Sequence, residues 1–357
     1  MTSAGGGGVS NVTVDVFDPQ GNLDASATTN AGGAYVLSGL DPSANPYTVC
    51  FDASNAVGGS SAYGYSSQCY RGVPWGASRF PAGGAKAVTL RRGELTKANA
   101  ALRANGGISG TVIAAGGSTP LAGVTVDVLV PGDFVQATAT TDSSGRYDIR
   151  NLPPNPSGYT VCFVGTAATG GAAGGGYADL CNRNVPWGPG WNPSSGTIAV
   201  PVAAMHSTTL DIGLPLLGSL SGRVTAAAGH GPLSNVTVDV FGPFGITSST
   251  TTAADGSYAI SGLQPDSYGY QVCFDATNAA GGATGGYASQ CYDNVAWSPY
   301  PYLAPAGGST ALSIHAGATT RVDGSLQSRG AIAGTVVSAG GGAGLAGVFS
   351  ESSYAGP

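Results

Sequence analysis

YTVCFVGTAATGGAAGGGYADLCNRNVPW, residues 159–187, recurs twice more in this chain, as YTVCFDASNAVGGSSAYGYSSQCYRGVPW over 47–75 and YQVCFDATNAAGGATGGYASQCYDNVAW over 270–297. Each copy opens as a β-branched and aromatic run, breaks into a glycine-rich loop, returns to a second cysteine and ends on a tryptophan, the punctuation of a strand followed by a loop. All six cysteines lie in these stretches, 19, 19 and 18 residues apart in pairs. Three disulfides are therefore expected, one per repeat: Cys50 with Cys69, Cys162 with Cys181, and Cys273 with Cys291. Chain entropy makes each worth about 3 kcal/mol for a loop near 20 residues.

Other anchors give the period. Val12, Val124 and Val236 open VTVDVF, VTVDVL and VTVDVF, and Tyr35, Tyr147 and Tyr258 recur at the same interval of about 110 residues. That is the size of one compact domain and not of a solenoid repeat. The expected organisation is repeat 1 over 1–104 with its first strand missing, repeat 2 over 105–217, repeat 3 over 218–328, and a truncated start of repeat 4 over 329–357. Out-of-phase ends make the chain read as a slice of a longer array.

Repeat 2 shows the plan. Its expected strands are ISGTVIAA from Ile108, VTVDVLV from Val124, FVQATATTD from Phe134, YDIRNL from Tyr147, YTVCFV from Tyr159, GTIAVPV from Gly196 and TTLDIGL from Thr208. In VTVDV the valines alternate with Thr125 and Asp127, which places valines inward and the polar pair outward. PPNPSG, rich in proline, reads as a loop. No window has a clear 3.6-residue period. Seven short strands with frequent turn signals predict an all-β chain of tandem seven-stranded Greek-key-type sandwiches, each with one disulfide-closed glycine-rich loop.

Composition limits function. Of 357 residues only 9% are charged, and the formal net charge is −6. Lysine occurs only at Lys86 and Lys97, so a nucleic-acid partner is not expected. Apolar runs fall well short of a membrane span. MTSAGGGGVS has neither a positive nor an apolar signal-peptide region, so no signal peptide is expected within this chain. The cysteine pattern nonetheless fits an oxidising compartment, and the expected location is extracellular or cell-surface.

SGTV, PLAGVTVDV, TTD before G and Y, then NL, P and YTVCF together resemble the carboxypeptidase regulatory-like domain, a prealbumin-like sandwich akin to collagen-adhesin B-type repeats and to carbohydrate-binding-like modules. The resemblance implies a secreted bacterial stalk, adhesive or accessory module. Starch-binding modules share a similar fold, which keeps a second reading open: the carbohydrate-binding accessory region of a secreted polysaccharide-degrading enzyme such as an α-amylase.

No catalytic constellation stands out. The only glutamates are Glu94 and Glu351, and the second sits in the aberrant tail, so they do not read as the pair of carboxylates that flanks a glycosidase's scissile bond. Asp15, Asp127 and Asp239 recur as the outward residue of VTVDV and read as a solvated strand face. Asp142, Asp255 and Asn30 read as turn formers. His206, His230 and His315 occupy non-equivalent positions without ligand spacing, so no metal or cofactor is expected. The glycine-rich loops open no helix and read as mobile. Repeats 2 and 3 hold no lysine for an isopeptide staple, which leaves the disulfide.

The remaining candidates are aromatic. Tyr65, Tyr70 and Trp75 in repeat 1, Tyr177, Trp187 and Trp191 in repeat 2, and Tyr287, Tyr292, Trp297, Tyr300 and Tyr302 in repeat 3 gather around the loop. Two readings stand side by side: rings that stack on a glycan or meet a protein, with avidity along the array, and tryptophans that cap the sandwich against the disulfide. The ragged ends add one expectation. Repeat 1 should present an open edge while residues 331–338 offer the matching strand, so head-to-tail self-association is expected.

Overall fold

The computed structural model describes residues 2–3, 7–42, 46–76, 80–131, 134–171, 176–187, 196–242, 245–299, 309–340, 344 and 346. The chain divides into two compact units: Met1–Gly218 with Ser261–Asp266 and His315–Ala318, and Ser219–Ile260 with Ser267–Ile314 and Thr319–Pro357. No α-helix occurs among the described residues.

In the first unit the 105–217 segment forms two facing sheets. One has Gly106–Ala114 at its centre, antiparallel to Arg146–Leu152 on one side and parallel to Ser207–Thr209 and Ile212–Leu214 on the other. The other runs in the order Phe134–Thr140, Thr125–Val130, Asn155–Val164, Leu180–Cys181 and Val185–Pro186, with Val200–Val202 also paired to Asn155–Val164. All seven expected strands are present, and the last is interrupted at Leu210 and Asp211. Val124, Val126, Val128, Val161 and Phe163 from one sheet meet Ile108, Val112, Tyr147, Ile149 and Leu214 from the other in a single core. The 218–328 segment, most of which belongs to the second unit, repeats this plan, with Gly218–Ala226 parallel to Thr319–Arg321 and Gly324–Leu326.

The reading of PPNPSG as a loop is corrected. The strand begins at Asn155 and takes Pro156 and Gly158 with it, through an irregularity that pairs Asn155 with Val202 and Tyr159 with Val200. Pro156 cannot donate to the ladder, and the irregularity spares it from doing so. Asn155 stitches the bulge by accepting from the Ser157 N–H at 3.1 Å and donating from Nδ2 to the Gly158 carbonyl at 2.7 Å.

A buried threonine recurs in all three copies. The Thr141 hydroxyl accepts from the Val124 N–H at 2.9 Å and donates to the Leu121 carbonyl at 2.7 Å. Thr29 does the same with Val12 and Val9, and Thr252 with Val236 and Leu233. Thr141→Val keeps the shape but leaves two buried backbone groups unpaired, at about 1–3 kcal/mol each. A loss of about 2–4 kcal/mol confined to one of the unfolding transitions of the whole chain is expected, read as a shift in its urea midpoint.

The turn formers behave as read. Asp142 Oδ1 accepts from the N–H groups of Ser144 and Arg146, Asn30 Oδ1 from Gly32 and Ala34, and Asp255 Oδ1 from Ser257.

Candidate functional site

Strand parity explains where the cysteines go. In Tyr47–Asp52 the core takes Tyr47, Val49 and Phe51, so Cys50 faces away from it. Cys50 lies directly opposite Cys69 in antiparallel register, as Cys162 does opposite Cys181 and Cys273 opposite Cys291, and all three pairs are disulfides. Each cystine founds a small second cluster on the outer face of the sheet. The first is Phe17, Cys50, Cys69 and Trp75; the second Leu129, Cys162 and Cys181 with Val185 and Trp187; the third Phe241, Cys273 and Cys291 with Val295 and Trp297. Phe17, Leu129 and Phe241 are the sixth residues of the VTVDV strings and share the outward parity of Asp15, Asp127 and Asp239.

The tryptophans cover these cystines. Trp75 is buried, meets the Phe17 ring edge-on at 6.1 Å between centroids, and donates from Nε1 to the Phe80 carbonyl at 2.8 Å. Trp187 and Trp297 are half-buried, and Trp297 meets Phe241 edge-on at 5.7 Å. Trp75→Ala therefore opens a hole over the disulfide, and a loss of about 3–5 kcal/mol is expected. Trp187→Ala, starting from a half-exposed ring, is expected to cost less, and calorimetry of the two variants gives the order.

The tyrosines part company with them. Tyr65, Tyr177 and Tyr287 are buried, their hydroxyls donating to loop carbonyls: Tyr65 to Gly58 at 3.1 Å, Tyr177 to Gly170 at 3.3 Å and Tyr287 to Gly281 at 2.9 Å. Their ring faces are spent on the core and offer nothing to stack on. Tyr70 and Tyr292 are half-buried, and the Arg71 guanidinium lies 5.7 Å from the Tyr70 ring centre. Trp191, Tyr300, Tyr302 and Glu351 lie outside the described residues.

The reading of the glycine-rich loops as mobile is corrected for their described residues. Besides the tyrosine peg, backbone pairing ties each loop to the segment before VTVDV: Val57–Gly58 to Val9–Ser10, Thr169 to Ala122, and Ala280 to Ser234. The solvated reading of the recurrent aspartates changes at Asp239 alone, since Asp15 and Asp127 stay partly exposed. Each accepts a hydrogen bond from a hydroxyl on the neighbouring strand: Asp15 from Ser26 at 2.7 Å, Asp127 from Thr138, and Asp239 from Ser249 at 2.7 Å. Asp239 is itself buried, and desolvation pushes its carboxyl above the ordinary range against the Ser249 bond that lowers it.

Within the first unit a cleft of about 520 Å³ opens beside Trp75, lined also by Gln68, Arg103, Gln136, Asn151 and Pro154. Its floor is the buried Asn105. The Asn105 N–H donates to the Gly64 carbonyl at 3.0 Å, its carbonyl accepts from the Met205 N–H at 2.8 Å, its Nδ2 donates to Asn151 Oδ1 at 2.6 Å, and its Oδ1 accepts from the Ser66 hydroxyl. The cleft thus joins the 1–104 and 105–217 segments through a fully paired polar residue. Among the described residues no group of three or more His, Cys, Asp or Glu is arranged to hold a metal ion, and no helix is long and apolar enough to cross a membrane.

Residues 107–172 match the carboxypeptidase regulatory-like domain family, the family the sequence resembles. The match falls within the second sandwich, whose strand order the third sandwich shares. No curated protein matches the chain. Among solved structures the chain is similar to the TIE protein of Bacillus anthracis, at 11% identity over 91% of this chain and 49% of that one with a TM-score of 0.24. It is also similar to a streptococcal ancillary pilin, at 12% identity over 78% and 76% of the two chains with a TM-score of 0.32. A shaft pilin from Lactobacillus rhamnosus GG gives 12%, 64% and 100%, with a TM-score of 0.26. The chain spans about half the length of the Bacillus anthracis protein, and at these scores no residue correspondence follows.

Proposed function

We propose that this chain is a non-catalytic, extracellular structural or adhesive array, a stalk whose sandwiches carry tension. One observation carries the reading: in the complete sandwiches the first and last strands lie side by side and parallel. Gly107, Ile108 and Ser109 pair with Ser207, Thr208 and Thr209, and Val112, Ile113 and Ala114 with Ile212, Gly213 and Leu214. The third sandwich repeats these six pairs between Gly218–Ala226 and the 319–326 segment. Tension applied through the chain pulls the two strands of such a pair in opposite directions along their length. The bridging hydrogen bonds are then loaded together in shear, whereas an antiparallel terminal pair would open one bond at a time.

The Tyr147 hydroxyl adds a cross-link, donating to the Leu210 carbonyl at 2.7 Å, as Tyr258 does to Val322 at 2.6 Å. The cystines fit the same role, since each closes its loop outside the sheared pair. Stretching single molecules between their ends tests the reading: two strong rupture events are expected. Ruptures at low force throughout would sink it, and retention on insoluble polysaccharide without such strength would favour the carbohydrate-binding alternative.

A further inference from the structure

Ser66, Gln68, Arg103, Asn105 and Asn151 line the cleft of about 520 Å³ beside Trp75. One repeat further on, the aligned positions hold Ala178, Leu180, Pro215, Leu217 and Gly262. Ala178, Leu180 and Leu217 are buried. The fold therefore does not need a polar group at any of these five positions, and apolar ones are the cheaper groups to bury. The polar set in the first unit serves something else.

The cleft is built before any ligand arrives. Its wall is a short antiparallel pairing: Tyr65 bridges Ala104, the Ser66 N–H donates to the Arg103 carbonyl at 2.9 Å, and the Asn105 N–H donates to the Gly64 carbonyl at 3.0 Å. Two lining side chains stand on backbone irregularities. Asn151 has a φ of 62°, in the left-handed region where the first and third copies place Gly39 and Gly262, and its Oδ1 is held by Asn105 Nδ2 at 2.6 Å. Gln136 is the extra residue where the pairing of Phe134–Thr140 shifts between Val128 and Leu129. A bulge of this kind re-aims a side chain.

The groups left over define what fits. Arg103 is exposed and makes no ion pair among the described residues. No Asp or Glu lines the cleft, although acidic residues outnumber lysine and arginine 19 to 13 along the chain. A guanidinium with no carboxylate of its own is a fork for a carboxylate brought from outside. Neither the Gln136 amide nor Asn151 Nδ2 makes a hydrogen bond among the described residues. Side-chain amides offer donors beside an acceptor, the arrangement that neighbouring hydroxyls match. A peptide would need pockets for apolar anchors, and here Tyr65 and Trp75 are buried, with the Trp75 N–H already given to the Phe80 carbonyl.

We propose that this cleft binds an acidic saccharide, a short run of uronic acid units, with Arg103 taking a carboxylate and Gln136 and Asn151 taking adjacent hydroxyls. This gives the adhesive side of the array a ligand class and rests on that reading.

Calorimetric titration of the whole chain tests it with a galacturonate trisaccharide, the galactose trisaccharide of the same linkage, and triglutamate. The galacturonate probe is expected to bind most tightly, and less so as salt is raised. Arg103→Gln should weaken it by about tenfold, the loss of one charge-assisted hydrogen bond, and leave the neutral sugar unaffected. Gln136→Ala should weaken both sugars. Both side chains are exposed, so urea midpoints should match that of the unaltered chain. No heat from galacturonate at millimolar concentration, equal binding of the galactose probe, tighter binding of triglutamate, or binding indifferent to Arg103→Gln would each overturn the proposal. Rupture forces are a separate measurement: a chain that breaks in two strong events and binds no saccharide refutes the cleft alone.

Discussion

Stretched between its ends in oxidising buffer, the chain should give two high-force events and one low-force event, and reductant should lengthen every event without weakening the two strong ones. The strong events belong to the sandwiches in which Gly106–Ala114 and Gly218–Ala226 are sheared against parallel partners. The weak event belongs to the first sandwich, where the only parallel terminal pairing described is Thr2–Ser3 with Ala101–Leu102. Forced unfolding is governed by the unfolding barrier and not by equilibrium stability, so a clamp between terminal strands acts out of proportion to its few hydrogen bonds. The disulfides act later. Each keeps 19, 19 or 18 residues from being drawn out, and at 3.3–3.6 Å per extended residue the reduced chain should gain roughly 60–70 Å per event. Equal forces for all three sandwiches, or no change in length on reduction, would contradict the assignment.

How much of this was legible in the sequence depends on which periodicity carried the signal. The seven strands and the cysteine pairs rest on alternation and on repetition at a period near 110, and both survive in the structure. What was missed sits where alternation says one thing and hydrophobicity another. VTVDVF reads as an inward row of valines with a polar outer row, yet Phe17, Leu129 and Phe241 continue the outer row and are buried there. The signal was available, since a large apolar residue on the polar parity needs a cover, and the tryptophan a few residues past the second cysteine provides it. The sequence gathers Tyr65, Tyr177 and Tyr287 around the loop, and nothing local says that a tyrosine beside glycines points into the core.

One substitution shows how the repeats conserve a physical task while moving the residue that performs it. In the first and third copies the turn after the cysteine strand is held by an aspartate at its head and a serine across from it. Asp52 accepts from the Ser54 N–H and Ser67 from the Ala53 N–H, each at 2.9 Å; Asp275 and Ser289 do the same for Thr277 and Ala276. The second copy has Val164 at the head, and the place of Ser67 is taken by Asp179, whose Oδ1 accepts from both the Gly165 N–H at 2.7 Å and the Thr166 N–H at 3.2 Å. The same two donors are satisfied by one carboxylate moved to the opposite strand. Burial raises the Asp179 carboxyl, and the two N–H bonds hold it back. A sequence comparison of the copies shows an aspartate lost at Val164 and one gained at Asp179; that the two changes offset each other becomes visible once the two strands are known to face each other.

Alkaline pH should unfold the second sandwich steeply, because its buried phenols cannot ionise in place. Burial first, and then the Asp211 carboxylate, push the Tyr147 phenol well above its ordinary value of 10.0, and burial raises Tyr159 as well. Both rings are buried, with the Tyr147 hydroxyl bound to the Leu210 carbonyl and the Tyr159 hydroxyl to the Pro153 carbonyl, each at 2.7 Å. Their pKa values are higher folded than unfolded, so their contribution to stability is complete below pH 10. Above it the unfolded chain releases two protons that the folded one retains, and stability falls at about 1.4 kcal/mol per proton for each pH unit. The slope is then near 2.7 kcal/mol per unit, as large as the whole contribution of a disulfide of this size. The loss continues until the pH passes the folded pKa values. Tyr147→Phe surrenders the bond to Leu210 and lowers stability at pH 7, yet it should halve the slope above pH 10. Urea midpoints of the two proteins between pH 8 and 11 test this. A variant whose stability falls as steeply as that of the unaltered chain would show that Tyr147 ionises without unfolding the sandwich.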